Sequence, residues 1–283
     1  MNYSRLFSCV AVWLLSAIFF TMTVQAEGQL KSGIEFSKQN GENLLLDAYV
    51  PEGPGPFPTC ILVHGGGFTK GTRTSYIKPL FEPLSKAAFV WFTIDYRLAP
   101  QHRWPACADD VADAIQWVQE HAAEWKVDPE KIMLIGESAG GHLVEWAGIQ
   151  DKGTPALAGV VSFYAPSDLE ILMQKREQIG GIGDLLGLAE KNDAAMARIA
   201  EISPIRQVRA GLPPFLLIHG DKDDRVPLDQ SHRFLAKLKE TGNVVKLITI
   251  PEGGHGMGGW DKLGSDYQEQ MIQWIRDTIA NKS

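Results

Sequence analysis

Short apolar runs rich in β-branched residues recur along the chain, and helical patterns separate them. The runs occupy residues 60–63, 90–94, 132–135, 160–163, 215–218 and 244–250. Turn residues bound each run, which is typical of strands buried on both faces. The helical patterns are Ala108, Val111, Ile115, Val118 and Ala122 after Pro105, and residues 143–149, 231–240 and 267–279. This alternation predicts an α/β fold with a mostly parallel central sheet and helices on both faces.

Two further segments modify this plan. Residues 33–38 and 44–50 alternate between apolar and polar side chains, which predicts an antiparallel start to the sheet. Residues 168–204 are helix-prone and interrupted by glycines, so we expect an insertion between two strands that is large enough for a small lid. With neither an internal repeat nor a linker, residues 27–283 are predicted to form a single domain.

The first 26 residues have the pattern of a targeting segment. Arg5 is their only charge, residues 6–24 are mostly apolar, and Val24 and Ala26 are small residues suited to a cleavage site. This order predicts a signal peptide, residues 1–26, and export to the periplasm or the extracellular space. The alternative is an uncleaved membrane anchor, because the apolar run is close to the length that spans a bilayer. After cleavage, no later run is apolar enough to predict stable membrane insertion.

The charge and the cysteine content exclude several classes of protein. Arginine and lysine number 27 against 34 acidic residues, with no basic run, so a nucleic-acid partner is not expected. The chain has 3 cysteines, too few for a disulfide scaffold. Export permits a disulfide between Cys60 and Cys107, but their apolar settings favour two buried free thiols.

The strongest chemical signal is the segment Gly136-Glu137-Ser138-Ala139-Gly140, which fits the pattern G-x-S-x-G. A predicted strand precedes it and a predicted helix follows it. A sharp turn between such elements holds the serine in a strained conformation and exposes its hydroxyl at the edge of the sheet. The flanking glycines are needed because a side chain would clash with the neighbouring strand and helix. The motif therefore predicts Ser138 as a nucleophile.

A second signal, His64-Gly65-Gly66-Gly67-Phe68, directly follows the run at 60–63. A glycine run allows backbone N–H groups to approach an oxyanion closely. A phosphate cradle would require a different glycine spacing that the chain lacks here. We therefore expect this loop to stabilise the negative charge that develops when a hydroxyl attacks an acyl carbon.

A nucleophilic serine requires a base and an acid that orients the base. His255 lies in a glycine-rich loop after the last apolar run, and its place in the chain order favours it as the base. Asp223 is the preferred acid, with Asp224 and Asp168 as the alternatives, since each follows a predicted strand. The other six histidines are expected to be structural or on the surface: His64, His102, His121, His142, His219 and His232.

These motifs together resemble the α/β-hydrolase fold, and specifically esterases with an HGGG motif. Among such esterases, the chain looks most like the bacterial carbohydrate esterases that include bifunctional acetylxylan and feruloyl esterases. The resemblance also includes the segments at 95–100, 213–223 and 253–256. It implies that Ser138 is the nucleophile, Asp223 the acid and His255 the base. It further implies that Gly66, Gly67 and the N–H of Ala139 form the oxyanion hole.

The expected function is a secreted serine carboxylic-ester hydrolase. Its substrate would carry a short acyl group such as acetyl, or a feruloyl group, on a plant polysaccharide or a fragment of one. This chemistry needs neither a cofactor nor a metal, and no cluster has the spacing of a metal site. The alternatives are a generic short-chain carboxylesterase or lipase-like enzyme, a peptidase or amidase, and a non-catalytic binding protein on the same fold.

Overall fold

The computed structural model describes residues 28–150 and 157–281. The strands of this part are β1 (Gly28–Gln39), β2 (Glu42–Pro51), β3 (Phe57–Val63), β4 (Val90–Ile94), β5 (Val127–Glu137), β6 (Gly159–Phe163), β7 (Phe215–Gly220) and β8 (Val245–Ile250). The α-helices are α1 (Phe81–Lys86), α2 (Ala106–Glu120), α3 (Ala139–Gln150), α4 (Leu169–Gln174), α5 (Gly180–Leu186), α6 (Asp193–Glu201), α7 (Asp229–Glu240) and α8 (Tyr267–Ala280).

The strands form an eight-stranded sheet in the order β1-β2-β4-β3-β5-β6-β7-β8. Strand β2 pairs antiparallel with both β1 and β4, whereas the remaining neighbours pair in parallel. The predicted α/β-hydrolase fold with a mostly parallel sheet is confirmed. Because parallel strands end at the same edge, the loops that follow β3, β5, β6, β7 and β8 meet there.

Alternate residues of β3 show how the sheet is covered on both faces. Ile61 and Val63 pack in one apolar cluster, with helices α2 and α3. Cys60 and Leu62 pack in a second cluster, with α1 and α8. This division follows from the period of two along a strand, which sends successive side chains to opposite faces.

The two cysteines of the described residues are free and buried. Cys60 lies in the cluster on one face of the sheet and Cys107 in the cluster on the other. Burial raises the pKa of both thiols, that of Cys107 to about 12. The prediction of two buried free thiols is therefore confirmed.

Helices α4, α5 and α6 lie between β6 and β7, where the insertion at 168–204 was expected. Helix α1 was not predicted, because its six residues are too few to show a helical pattern in the sequence. The predicted signal peptide, residues 1–26, lies outside the described residues. Within the described ranges, no helix is both long enough and apolar enough to cross a membrane.

Candidate active site

Ser138 occupies a tight turn between β5 and α3. Its backbone has a φ of +53°, a left-handed conformation that is rare for a residue with a side chain. The Ser138 N–H donates a hydrogen bond of 2.9 Å to the carbonyl of Phe163. A Cβ atom at Gly136 would overlap the carbonyl of Gly140, and one at Gly140 would overlap the carbonyl of Val63. The two glycines are therefore required by the close approach of backbone to backbone.

Three of the predicted site residues form a continuous hydrogen-bonded chain. The Ser138 hydroxyl donates to His255 Nε2 at 3.0 Å. His255 Nδ1 donates to Asp223 Oδ2 at 2.7 Å. The loops after β5, β7 and β8 bring these residues together across more than one hundred positions of sequence. This is the geometry in which a base accepts the proton of a serine while a carboxylate fixes the tautomer of the base.

The carboxylate of Asp223 is fully buried and has several hydrogen-bond donors. Its Oδ1 accepts from the backbone N–H groups of Arg225 at 2.9 Å and Val226 at 2.8 Å. Its Oδ2 lies 3.3 Å from His219 Nε2. Burial alone would raise the pKa of Asp223, but the bonds from His219, His255 and Val226 outweigh it and hold that pKa well below its usual value. Asp223 is therefore ionised throughout the neutral range.

The two alternative acids have other environments. Asp168 caps α4 by accepting from the N–H of Ile171, and it forms an ion pair of 2.8 Å with Arg233. Asp224 is exposed to solvent. Among the described residues, Asp223 is the carboxylate hydrogen-bonded to His255. The sequence favoured Asp223 and kept Asp224 and Asp168 as alternatives, because all three follow strands.

The backbone groups expected to form an oxyanion hole line the same cavity as Ser138. Gly66 and Gly67 come from the loop after β3, and Ala139 is the first residue of α3, whose N–H has no acceptor within the helix. Gly66 has a φ of +113°, and a Cβ atom there would overlap the carbonyl of Lys70. A glycine is thus required where the loop turns toward the nucleophile.

A comparison with known protein families identifies the family of this chain. Residues 46–238 match the model of the BD-FAE family. The chain belongs to the BD-FAE family. The resemblance suggested by the motifs is thereby confirmed.

Relatives of this BD-FAE chain include esterases of several kinds. It is 30% identical over 216 residues to Esterase LipC of Mycobacterium tuberculosis, covering 71% of this chain and 53% of LipC. It is 23% identical to an acetylxylan esterase of Xylanibacter ruminicola, over 96% of this chain and 55% of that one. The chain spans about half the length of these curated relatives.

A solved structure shares the fold closely. The truncated form of a carbohydrate esterase from gut microbiota superposes with a TM-score of 0.80 at 24% identity. The match covers 91% of this chain and 98% of that structure. At this identity the likeness establishes the fold.

Two residues of the site were not singled out from the sequence of this BD-FAE chain. Glu137 precedes the serine, is 4% exposed, and accepts a hydrogen bond from the N–H of Gly65 in the glycine loop. Burial raises the pKa of Glu137 to about 7, against the opposing effects of that bond, of His255 and of Tyr164. The signal for Glu137 was a charged residue inside an otherwise apolar strand end.

Tyr164 is the other residue that sequence reasoning missed. It directly follows β6 with a φ of +38°, and its ring packs against that of His255 with centroids 4.8 Å apart. Its hydroxyl accepts from the N–H of Met257 at 3.2 Å and is hydrogen-bonded to Glu137. The available signal was its position at the carboxyl end of a parallel strand. Tyr164 thus links the histidine loop to the serine turn.

The remaining buried histidines bond to the backbone. His64 Nδ1 donates to the carbonyl of Gly65 at 2.7 Å, and His142 Nδ1 donates to that of Pro166 at 3.1 Å. Burial lowers the pKa of each to about 4. His219 Nε2 donates to the carbonyl of Val226 at 2.7 Å. The sequence reasoning treated His219 as purely structural, but it also faces the carboxylate of Asp223.

A cavity of about 740 Å³ opens above Ser138. Its apolar wall comes from the insertion and comprises Leu169, Leu172, Met173, Ile179 and Ile182. Met257 also lines the cavity. Trp260 instead packs beneath the histidine loop, where its indole N–H donates to the carbonyl of Gly254 at 3.2 Å. The site therefore combines a polar reaction centre with an apolar recess.

Proposed function

We propose that this chain is a serine carboxylic-ester hydrolase that removes a short acyl group, such as acetyl, or a feruloyl group from a plant polysaccharide or its fragments. The observation that carries this proposal is the hydrogen-bonded chain from Ser138 Oγ through His255 to the buried carboxylate of Asp223. Fold alone does not establish an activity, but this geometry is the one that nucleophilic acyl transfer requires.

The proposed reaction begins when Ser138 Oγ attacks the ester carbonyl carbon and His255 Nε2 takes the hydroxyl proton. The N–H groups of Gly66, Gly67 and Ala139 stabilise the resulting oxyanion. When the tetrahedral intermediate collapses, the bond to the alcohol oxygen breaks and His255 returns its proton to the leaving alcohol. A water molecule, deprotonated by His255, then attacks the acyl-enzyme and releases the carboxylic acid. Asp223 holds the imidazole in the required tautomer throughout.

The proposed substrate class rests on the relatives and on the insertion. An acetylxylan esterase and a carbohydrate esterase are among the proteins that this chain resembles. The outer surface of α4 to α6 carries many charged residues, including Glu177, Asp184 and Glu190, which are exposed. A charged lid suits a water-soluble or polymeric substrate better than a lipid interface. Export by a cleaved signal peptide, residues 1–26, is part of the same proposal, because such polymers lie outside the cell.

The test is a substrate panel with residues 27–283, using Ser138→Ala as the blank. Acetylated xylan, methyl ferulate and p-nitrophenyl esters from acetate to long chains are compared by kcat/KM. We expect activity on acetylated xylan or methyl ferulate that the blank lacks. Activity confined to activated short esters would reduce the proposal to a generic carboxylesterase. Inactivity on the whole panel would contradict it and favour an amidase, a peptidase or a binding role.

A further inference from the structure

Three basic side chains surround the mouth of the cavity above Ser138. Lys70 comes from the glycine loop after β3, Arg176 from the segment after α4, and Arg225 from the loop that carries Asp223. All three line the cavity and are exposed to solvent. Three separate parts of the chain thus place positive charge at one opening. We call these residues the basic rim.

The basic rim has no acidic counterpart. Among the described residues, Glu137 is the only carboxylate that lines the cavity, and it is buried beside the nucleophile. Across the described residues, the side chains of the basic rim form no ion pair. In contrast, Arg73, Arg97 and Arg233 are each paired with an aspartate. The protein as a whole has a net charge of −7. The charge at this opening is therefore opposite in sign to the charge of the molecule.

Hydrogen bonds fix part of the basic rim in place. The guanidinium of Arg176 donates to the carbonyl of Arg225 at 2.5 Å. The ammonium of Lys191 donates to the carbonyl of Arg176 at 2.6 Å, which anchors that segment further. The N–H of Arg225 in turn donates to Asp223 Oδ1, so this segment is continuous with the reaction centre. The two arginines are consequently held next to each other on the side of the cavity where the acid and base lie.

We propose that the substrate carries a carboxylate beyond the scissile ester and that the basic rim binds this group. The inference rests on the proposed function and specifies its substrate class: acylated saccharides that contain uronic acids, or esters of an acid with a second carboxylate. A cleft lined by charges of one sign concentrates oppositely charged ligands and raises their association rate. Guanidinium groups match the geometry of a carboxylate better than an ammonium does, so Arg176 and Arg225 carry most of the effect.

The experiment compares anionic esters with neutral esters of nearly the same shape. The first pair, 4-acetoxybenzoate and its methyl ester, places the carboxylate on the alcohol side. The second pair, monomethyl and dimethyl glutarate, places it on the acyl side. For each pair, the ratio of kcat/KM for the anionic ester to that for the neutral ester is measured in the wild type and in Arg176→Gln, Arg225→Gln, Lys70→Gln and the double arginine variant. The ratio does not depend on the amount of folded enzyme.

Matched controls come from neighbouring lysines outside the cavity. Lys175 precedes Arg176 and lies 4.0 Å from Asp229, and Lys222 lies 3.5 Å from Glu252. Lys175→Gln and Lys222→Gln remove the same charge nearby, so they are expected to leave both ratios at the wild-type value. Each arginine variant is expected to lower one ratio about two- to fivefold, and the double variant more. Added salt is expected to reduce the wild-type ratio, because these charges are exposed.

The outcomes separate the two proposals. A fall confined to the benzoate pair supports a carboxylate on the alcohol side, and one confined to the glutarate pair supports the acyl side. Unchanged ratios in the double arginine variant, or an equal fall in the lysine controls, would overturn the role of the basic rim while leaving ester hydrolysis intact. If the neutral esters are not hydrolysed above the Ser138→Ala blank, the proposed function fails and this inference fails with it.

Discussion

Two groups of residues enclose the cavity, and they differ in how they are held. The first group is the strand-end loops, which follow β3, β5, β7 and β8. They supply Gly66, Ser138 and His255 to the cavity. The second group, the inserted helices α4 to α6, supplies the apolar wall and Arg176. At Gly66, Gly136 and Gly140 of the strand-end loops, backbones approach so closely that an added methyl group would overlap a carbonyl oxygen. In the inserted helices, apolar side chains face the cavity and charged ones face solvent.

This difference indicates a division of roles. Close backbone contacts and buried hydrogen bonds leave the strand-end loops little freedom, which suits groups that must be pre-organised for the reaction. The inserted helices contact the cavity through side chains that can be exchanged without moving the reaction centre. We therefore expect changes at the buried, closely packed positions of the loops to alter the rate for all esters. Changes in the side chains of the inserted helices and of the basic rim should instead alter the preference among esters.

The largest expected effect is that of Asp223→Asn. Asparagine lacks the charge that stabilises the imidazolium and permits the wrong tautomer of His255, so kcat on a short p-nitrophenyl ester should fall about 10⁴-fold. Asp224→Asn is the matched control, because Asp224 is adjacent and exposed. Loss of rate in Asp224→Asn or Asp168→Asn, with the rate of Asp223→Asn preserved, would reassign the acid.

Gly140→Ala tests the close approach in the serine turn. The added methyl would overlap the carbonyls of Val63 and His64, which must move to accommodate it. We expect a loss of about 1–3 kcal/mol in the free energy of unfolding and a fall of about 10²-fold in kcat, as Ser138 shifts. Urea unfolding and steady-state kinetics measure both quantities.

The control for this variant is Gly259→Ala. A Cβ atom at Gly259 would have no neighbour within 4 Å, and the φ of −174° there lies outside the left-handed region. It should therefore retain activity and stability. Equal stability and equal kcat in the two variants would show that the close backbone contact at Gly140 contributes to neither quantity.

Leu172→Ala tests the apolar wall of the inserted helices. Leu172 is 5% exposed and lines the cavity, so its truncation enlarges the recess. The ratio of kcat/KM for p-nitrophenyl butanoate to that for the acetate should rise about three- to tenfold, since one or two methylene groups gain space. Leu188→Ala, in the same insertion but outside the cavity, should leave the ratio unchanged. An equal loss of kcat/KM on both esters would show that Leu172 affects the reaction rate itself, as the strand-end loops do, and not the preference among esters.

The smallest expected effect is that of Glu137→Gln, and it depends on pH. Because the pKa of Glu137 is raised to about 7, this group is ionised at pH 8 and protonated at pH 5. The negative charge of ionised Glu137 stabilises the imidazolium that forms when His255 takes the serine proton, so the wild type should be about threefold faster than the variant at pH 8. The two rates should converge as the pH falls below about 6, where Glu137 is neutral. A constant ratio from pH 5 to pH 8 would exclude an electrostatic role.

Much of this arrangement could be predicted from the order of residues alone. The apolar runs gave the strands because burial on both faces demands consecutive apolar side chains. Ser138 was accessible to prediction because a strand, a glycine-flanked turn and a helix are all local features. Asp223 was favoured as the acid, but Asp224 and Asp168 stayed open as alternatives, since each follows a predicted strand and only the distance to His255 decides among them.

The sequence by itself determined the fold class, the serine turn and the set of residues from which the site is built, because these depend on local periodicity and on backbone conformation. The tertiary structure alone decided which carboxylate contacts His255, that Glu137 and Tyr164 support the site, and that three distant cations share one opening. The physical reason is that hydrogen bonds, burial and charge act over a few ångströms. Residues that the chain separates by dozens of positions come within that range only when the sheet assembles.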